Sequence, residues 1–554
     1  MVEPIPSFNI YIEQSIINNW DRDALTDYKG ITLQFHDVAR KIEKLHILFE
    51  GSGIERGDKI ALCGRNGSHW GVAFLATLTY GAVAVPIQSE FTAEQIYNIV
   101  NHSDAKLLFV GDVVATQIDA AQMPALEGIV YLPDYSLLEA RTEKLTYARE
   151  HLNEMFGRKF PKFFRREHVS YYKNTDPDEL AIINYTSGTT GFSKGVMLSY
   201  GALWSNIDYL LSAMEGKVSS GSNIVCTLPM AHMYGLAIDF LYGFIHGCHL
   251  YFLTRLPSPS FIAEAFAAIR PRLIATVPMV LEKIIKKKVF PLTQTNRVRL
   301  LMSMPVISRR VRERICAKVS EVFGGNAYQL VVAGAPLSGS VEEFLRGIGF
   351  PLTIAYGTTE TAPFITFADQ SESRQGSCGK VVSRLQLRLL SQKPDTEPGE
   401  IVVRGQNVML GYYKNEEATR GVIDEEGWFH TGDLATMDAD GHIYIRGRIK
   451  NMLLGSNGQN VYPEEIEDLL NPMAMVCESI VVQRGDRLVA LVYPDKEEAH
   501  NLGFDRTDLE GVMEENRQAL NSQLPPFCKI SEIELQEEEF KKTPKKSIKR
   551  YLYR

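Results

Sequence analysis

The run Tyr185-Thr-Ser-Gly-Thr-Thr-Gly-Phe-Ser-Lys194-Gly195 concentrates hydroxyls, glycines and one lysine in a short stretch. Glycines let backbone N–H groups turn toward a ligand, and turned N–H groups form an anion-binding concavity. Hydroxyls add donors, and the lysine adds a mobile positive charge. This chemistry suits a polyphosphate, above all that of ATP. Thr186, Ser187, Gly188, Thr189, Thr190, Gly191 and Lys194 are the candidate contacts. The loop is not a Walker A element, because Lys194 follows Ser193 and precedes Gly195 where that pattern needs Gly-Lys-Ser/Thr. A plain Gly/Ser/Thr-rich surface turn would have the same composition, so the loop has to be weighed with the rest of the chain.

The elements that must position it can be read from the apolar runs. Leu180-Ala-Ile-Ile-Asn184 and Gly195-Val-Met-Leu-Ser199 read as two strands around the loop. From about residue 30 to 370, strand-like runs such as Lys59–Cys63, Ala82–Pro86 and Lys106–Val110 alternate with helical stretches. One such helix, at Trp70–Leu78, reads as buried; another opens on Thr92-Ala-Glu-Gln95, which has capping-box spacing. That alternation predicts an α/β fold with layered, mostly parallel sheets. From about 378 to 450 the texture shifts to short alternating segments between turn signals, which predicts a small antiparallel β unit, expected as a β-barrel. Beyond about 450, a helix near Pro463–Leu470, strands near Ser479–Val482 and Leu488–Val492, and a helix near Asp508–Leu520 predict a smaller α+β domain. The expected boundary separates residues 1–450 from 451–554.

With 554 residues the chain exceeds one core and calls for two or more domains. Its 45% hydrophobic and 23% charged content is that of a soluble globular protein, and a net charge of −8 gives no reason to expect nucleic-acid binding. The seven cysteines are dispersed with no CxxC, which fits free thiols in a cytoplasmic setting. Met1–Ser7 has no basic region followed by an apolar one, and no uninterrupted apolar run approaches the roughly 18 residues of a membrane span. Leu236–Phe252 comes nearest but is interrupted by Asp239, histidines and glycines, and reads as buried core.

Six further segments follow the loop in order: Pro229-Met-Ala-His-Met-Tyr-Gly235, Val331-Val-Ala-Gly-Ala-Pro-Leu337, Tyr356-Gly-Thr-Thr-Glu-Thr-Ala-Pro363, Phe429-His-Thr-Gly-Asp433, Gly447-Arg448-Ile-Lys450-Asn451 and Leu454-Gly-Ser-Asn-Gly-Gln-Asn-Val-Tyr-Pro463. Together with the loop they resemble, over essentially the whole length, the adenylate-forming superfamily of acyl-CoA synthetases, luciferases and peptide-synthetase adenylation domains. The resemblance implies a large AMP-binding domain and a mobile C-terminal domain. It places His232 near the substrate carboxylate, with Gly235 beside the acyl pocket, and sets Gly334, Ala335 and Pro336 against adenine. Tyr356 would stack on adenine, with Gly357, Thr358 and Thr359 around the phosphates and Glu360 on Mg²⁺. Asp433 and Arg448 would hold the ribose, and Gly458 would line the thiol approach. Taken alone, His232 reads equally as a core histidine, Gly334 as an ordinary strand-to-helix turn, and Thr358 or Thr359 as a helix N-cap with Glu360 in its first turn.

Three departures from the family pattern stand out. The interdomain hinge residue is Asn451, where the family has Asp or Lys. Asn457-Gly458-Gln459 replaces Gly-Gly-Glu. In the tail, the family's Lys-Thr-x-x-Gly-Lys becomes Thr543-Pro-Lys-Lys546-Ser547, leaving Lys546 or Lys549 as the candidate for the catalytic lysine. The implied reaction is ATP-dependent activation of a carboxylic acid, a medium- or long-chain fatty acid, to an acyl-adenylate, followed by thioester formation with coenzyme A. Thr186, Lys194, His232 and Glu360 join the tail lysine as its expected catalytic residues. Two alternatives stay open: transfer to a carrier-protein phosphopantetheine, and a nucleotide-binding homologue with weak turnover. The small residues Ala231, Gly235, Gly243 and Gly247 are expected to leave a roomy apolar slot. The basic-aromatic stretch Phe156–Tyr172 is suited either to a membrane face or to a solvated loop with packed rings.

Overall fold

In the computed structural model the described residues are 5–186, 194–254, 258–290, 305–454, 460–485, 487–542 and 548–553. The apolar runs become two large sheets. In the eight-stranded sheet, Val83–Ile87, Lys59–Cys63, Ala105–Val110 and Gly128–Tyr131 run parallel, with Leu180–Thr186 joining parallel to Val83–Ile87. One edge then turns antiparallel: Leu180–Thr186 pairs with Lys194–Ser199, which pairs with Gly411–Tyr412. The seven-stranded sheet is parallel through Leu352–Ile354, Gln329–Val332, Leu273–Thr276, Asn223–Cys226, His249–Phe252 and Asp23–Asp27. Strands buried on both faces need no polar alternation, which is why they read as continuous apolar runs.

Helices fill the layers. Ser68–Tyr80 is buried almost all round, with Trp70 stacked on Phe74 at 5.4 Å between centroids. Thr92 caps Ala93–Ser103, its hydroxyl accepting from the Gln95 N–H while Gln95 reaches back to the Thr92 N–H. Helix α1 (Phe35–Ser52) buries one face in the core and packs its rim against α2 (Glu143–Glu150) and α3 (Leu152–Lys159). Leu236–Phe252 is core as expected, built as a π-helix, one α turn and a strand.

In the region expected as a β-barrel, Leu385–Leu390, Gly399–Gly405, Phe429–Met437 and Ile443–Arg448 pair antiparallel in that order. The edge strand continues toward a three-stranded sheet, since Cys378 N–H donates to Ile443 O and Ile443 N–H to Gly379 O, both at 2.9 Å, beside Lys380–Val381. All seven cysteines are free. The last segment has its own core beneath Val476–Arg484, Arg487–Pro494 and Ile530–Leu535, covered by Pro463–Leu470 and Arg506–Gln523.

The tail packs on that sheet through Phe540, pairs Lys542 with Glu478 at 2.7 Å, and adds a buried ion pair. Glu467, 6% exposed, accepts from the Val481 N–H at 2.6 Å and from the Arg550 guanidinium. Burial pushes its carboxyl up to about 8, against the lowering pull of Arg550. Arg550→Met should therefore cost about 3–5 kcal/mol, the toll of stranding a buried charge. Without the arginine the folded-state carboxyl rises further, whereas the unfolded one stays near 4.5. Stability is lost as pH climbs through the folded value, so thermal unfolding of the variant should fall furthest behind the parent above about pH 8.

Candidate active site

Ligands of open α/β sheets bind beyond the carboxyl ends of the strands, and the segments that follow three strands of the seven-stranded sheet gather here, two of those strands adjacent and the third one strand further along, beyond Leu273–Thr276. After Asn223–Cys226 comes the His232 segment, after Gln329–Val332 the Gly334 turn, and after Leu352–Ile354 the Tyr356 turn. Hydrogen bonds knit the three together. Ala355 N–H donates to Val332 O at 2.9 Å, and Tyr234 Oη donates to Val331 O at 3.0 Å. The His232 segment is also tied to the other sheet, since Asn184 of the loop's first strand donates to Ala231 O at 2.9 Å. Asn66 accepts from the Met230 N–H at 2.8 Å and donates to Leu228 O at 2.6 Å.

The loop's anchors are as expected: Thr186 and Lys194 are register partners in a hairpin, and Lys194 opens a strand rather than a helix. Ser187, Gly188, Thr189, Thr190 and Gly191 lie outside the described residues. Lys194 Nζ sits 4.6 Å above the Tyr412 ring. The hydroxyl of the same tyrosine donates to Glu360 Oε1 at 3.0 Å. Tyr412 was not foreseen. It lies in a two-residue strand with no periodicity, and only its pairing with Val196 brings it beside Lys194.

Glu360 lies in a 3₁₀ turn, Thr359–Thr361, capped by Thr358, which is the capping reading of this segment. Met409 N–H fixes the turn by donating to Glu360 O at 2.8 Å. The donor set at Glu360 is one half-buried carboxylate beside the Thr358 and Thr359 hydroxyls. Among the described residues no group of three or more His, Cys, Asp or Glu converges as a metal cage. A single carboxylate fits Mg²⁺, which keeps its waters and takes substrate phosphate oxygens.

The second cluster centres on Asp433, which is 4% exposed. Tyr356 Oη donates to its Oδ2 at 2.6 Å, and Arg448 Nε lies 2.8 Å from its Oδ1. Burial holds its carboxyl above the ordinary value; Arg448 and Tyr356 pull it back, and the nearby Glu360 charge pushes it up again. A carboxylate has about four lone-pair positions, so two neighbours leave room for two sugar hydroxyls. Asp433 and Arg448 face each other across paired strands, which explains how residues distant in the chain meet.

His232 is half-buried, and its Nδ1 accepts from the Tyr234 N–H at 3.3 Å, which assigns the proton to Nε2. Gly334, Ala335 and Pro336 form an exposed turn, with Gly334 at φ +90°. Lys549 does not join these groups: its backbone N–H donates to Lys541 O, within the last segment. Lys546 and Gly458 lie outside the described residues.

The expected apolar slot is not formed by its glycines. A side chain at Gly235 would meet Pro229 O at 2.7 Å, one at Gly243 would meet Leu250 at 2.6 Å, and one at Gly247 would meet Asn19 at 2.5 Å. Each glycine permits close packing of protein on protein.

The chain is thus a layered α/β protein that gathers two polar clusters, Lys194–Tyr412–Glu360 and Tyr356–Asp433–Arg448. The profile of the AMP-binding enzyme family matches residues 12–413, and the chain belongs to that family. Among curated relatives, the long-chain-fatty-acid–CoA ligase ACSBG2 of Homo sapiens is 26% identical, over 82% of this chain and 70% of its own. The long-chain-fatty-acid–CoA ligase FadD15 of Mycobacterium bovis is 28% identical, over 80% of this chain and 74% of its own. Among solved structures, the anthranilate CoA ligase AuaEII in complex with anthranoyl-AMP superposes with a TM-score of 0.79 at 18% identity, covering 99% of this chain and 97% of that one. ATP-bound MatB from Rhodopseudomonas palustris gives 0.72 at 22%, covering 98% of each. These two likenesses establish the fold.

The two turns that shape the site differ in tolerance. At Gly357 a Cβ would stand 1.8 Å from Pro363 O. Gly357→Ala is expected to destabilise by about 3 kcal/mol or more, since backbone must move. At Gly334 the space is open and only the positive φ opposes a side chain, so Gly334→Ala should cost about 1–2 kcal/mol. Denaturant midpoints of the two variants check that order.

Proposed function

We propose that this protein activates a long-chain fatty acid with ATP and transfers the acyl group to coenzyme A. The observation that carries the reading is the Lys194–Tyr412–Glu360 link lying beside the Tyr356–Asp433–Arg448 cluster, in a chain whose curated relatives are named long-chain-fatty-acid–CoA ligases. The relatives support the chain length; the glycines do not.

In the first step a carboxylate oxygen attacks the α-phosphorus, the bond to the bridging oxygen breaks, and pyrophosphate leaves. Charge grows on phosphate oxygens, and Lys194, with the hydroxyls of Thr186, Ser187, Thr189 and Thr190, would stabilise it. Glu360, with Thr358 and Thr359 beside it, would hold Mg²⁺, which when bound neutralises phosphate charge. Asp433 and Arg448 take the ribose hydroxyls, and the Tyr356 ring, pinned by its hydroxyl to Asp433, takes the adenine. His232 would lie near the substrate carboxylate, as the family resemblance implies. In the second step the thiol sulfur attacks the acyl carbon and AMP departs with the bonding pair; the thiol proton is lost to solvent. Residues 451–554 act as the mobile domain for this exchange, turning about Asn451, whose side chain donates to Glu464 Oε1 at 2.6 Å. Gly458 would line the thiol path, and a tail lysine, Lys546 or Lys549, would approach the carboxylate when that domain closes.

The deciding assay is a panel of carboxylic acids, read as labelled pyrophosphate exchange into ATP and as AMP release with CoA. Long-chain acids are expected to drive both; if no fatty acid of any length raised the rates, the assignment would fail. Exchange without a CoA product would favour a carrier-protein acceptor. The displaced tail lysine, with Ser547 in its place, favours weak turnover, and loss of all exchange would select that reading. Glu360→Gln should lower kcat by about 10²–10³. Tyr412→Phe keeps the ring under Lys194 but removes the hydroxyl, and should cost about tenfold. Tyr356→Phe should raise KM for ATP and leave kcat nearly unchanged, because the ring remains but loses its anchor.

A further inference from the structure

We propose that the face built by α1, α2 and α3 docks on an anionic phospholipid bilayer, with a lipid phosphate seated in a basic cleft and Phe163 entering the acyl boundary. This goes beyond the proposed reaction and does not depend on it. The cleft, about 420 Å³, is lined by Arg40, Lys41, Lys44 and Arg149, with the carboxylates of Asp37 and Asp134. The cations have neutral partners. Lys41 Nζ lies 3.2 Å from His69 Nε2, Lys44 Nζ donates to Asn153 Oδ1 at 2.8 Å, and Arg149 Nε donates to Tyr135 O at 2.7 Å. Among the described residues none of the four stands within 4.0 Å of a carboxylate oxygen. The two carboxylates are engaged locally, Asp37 by the Gln34 N–H and His36, and Asp134 by the Ser136 N–H.

Like charges held together in a half-closed cleft lower one another's affinity for protons. Burial depresses the Lys41 ammonium, with Asp37 pulling it up more than Lys44 pushes it down; at Lys44, burial, Arg40 and Arg149 all depress the ammonium, so the repulsion is felt there. An anion with several oxygens relieves that repulsion, and the phosphate group is the biological anion of that size and charge.

The choice of a bilayer over a soluble anion comes from what adjoins the cleft. Lys44 Nζ also lies 5.5 Å over the Phe156 ring, which packs on Phe160 at 5.1 Å and Phe164 at 5.9 Å. Next to that cluster Phe163 is 72% exposed, flanked by exposed Lys162 and Arg165. Nearby Arg158 and Lys159 are paired with Glu154 and Glu43. A soluble anion has no use for an exposed ring, whereas cations around a projecting aromatic match the headgroup boundary. No helix among the described residues is long and apolar enough to cross a membrane, so the contact is made at the surface.

Co-sedimentation of the full chain with vesicles tests this. Binding is expected to phosphatidylcholine–phosphatidylserine vesicles, weakened by salt, and not to phosphatidylcholine alone. Neutralising Arg40 and Lys44 together should lower partitioning by about 25-fold, at about fivefold per cation. Phe163→Ser should lower it by about tenfold; this side chain is exposed, so the variant folds. Equal binding to both vesicle types, or unchanged binding by the variants, would overturn the proposal. So would inorganic phosphate binding in the cleft, by Arg40 and Lys44 variant titration, without any vesicle binding. Labelled pyrophosphate exchange in vesicle-free solution should be unchanged in all these variants, so failure of docking and failure of the reaction are read separately.

Discussion

Lys194 and Glu360 carry opposite charges, and Tyr412 stands between them. Its ring face carries Lys194 at 4.6 Å and its hydroxyl carries Glu360 at 3.0 Å. A direct Lys–Glu pair would satisfy both groups and leave little charge for a ligand. The ring instead offers the cation an attraction of about 0.5–2 kcal/mol, while the hydroxyl uses only one carboxylate oxygen. Lys194, Tyr412 and Glu360 come from three separate segments, and their alignment depends on Gly411–Tyr412 pairing onto Lys194–Ser199 and on Met409 fixing the Glu360 turn.

The second cluster obeys a related constraint. Asp433 is buried, which opposes its charge, and Arg448 and Tyr356 restore it from two sides. Glu360 acts on the same carboxyl from the first cluster, so the two are electrostatically one site. The parallel sheet supplies the frame: the segments after Asn223–Cys226, Gln329–Val332 and Leu352–Ile354 leave the same end of it, and cross-bonds from Tyr234, Asn184 and Asn66 tie the connecting segments together. Elsewhere, Arg40, Lys41, Lys44 and Arg149 line a cleft in which, among the described residues, none of them stands within 4.0 Å of a carboxylate oxygen. The contrast with the tightly paired Asp433 and Glu467 shows how differently this protein treats its charges.

Much of this was legible in the amino-acid sequence, for local reasons. Doubly buried strands appear as apolar runs, so Lys59–Cys63 and Leu180–Thr186 could be placed within a residue or two. Thr92 with Gln95 announced a helix start because both ends of the capping box lie within four residues. The hairpin reading of Lys194 followed from apolar flanks on both sides of the loop. Sequence reasoning failed where glycine was taken as space. Gly235, Gly243 and Gly247 are each filled by neighbours far along the chain or across a turn.

The amino-acid sequence by itself therefore determined the alternation of elements, the hydroxyl- and glycine-rich loop between two strands, and the set of carboxylates and cations the fold has to place. These follow from residue type and short-range spacing. Tertiary structure alone decided that Tyr412 stands between Lys194 and Glu360, that Asp433 is shared by Tyr356 and Arg448, and that Arg550 meets Glu467. Each of these depends on register between strands or on burial, and neither is encoded within a window of a few residues.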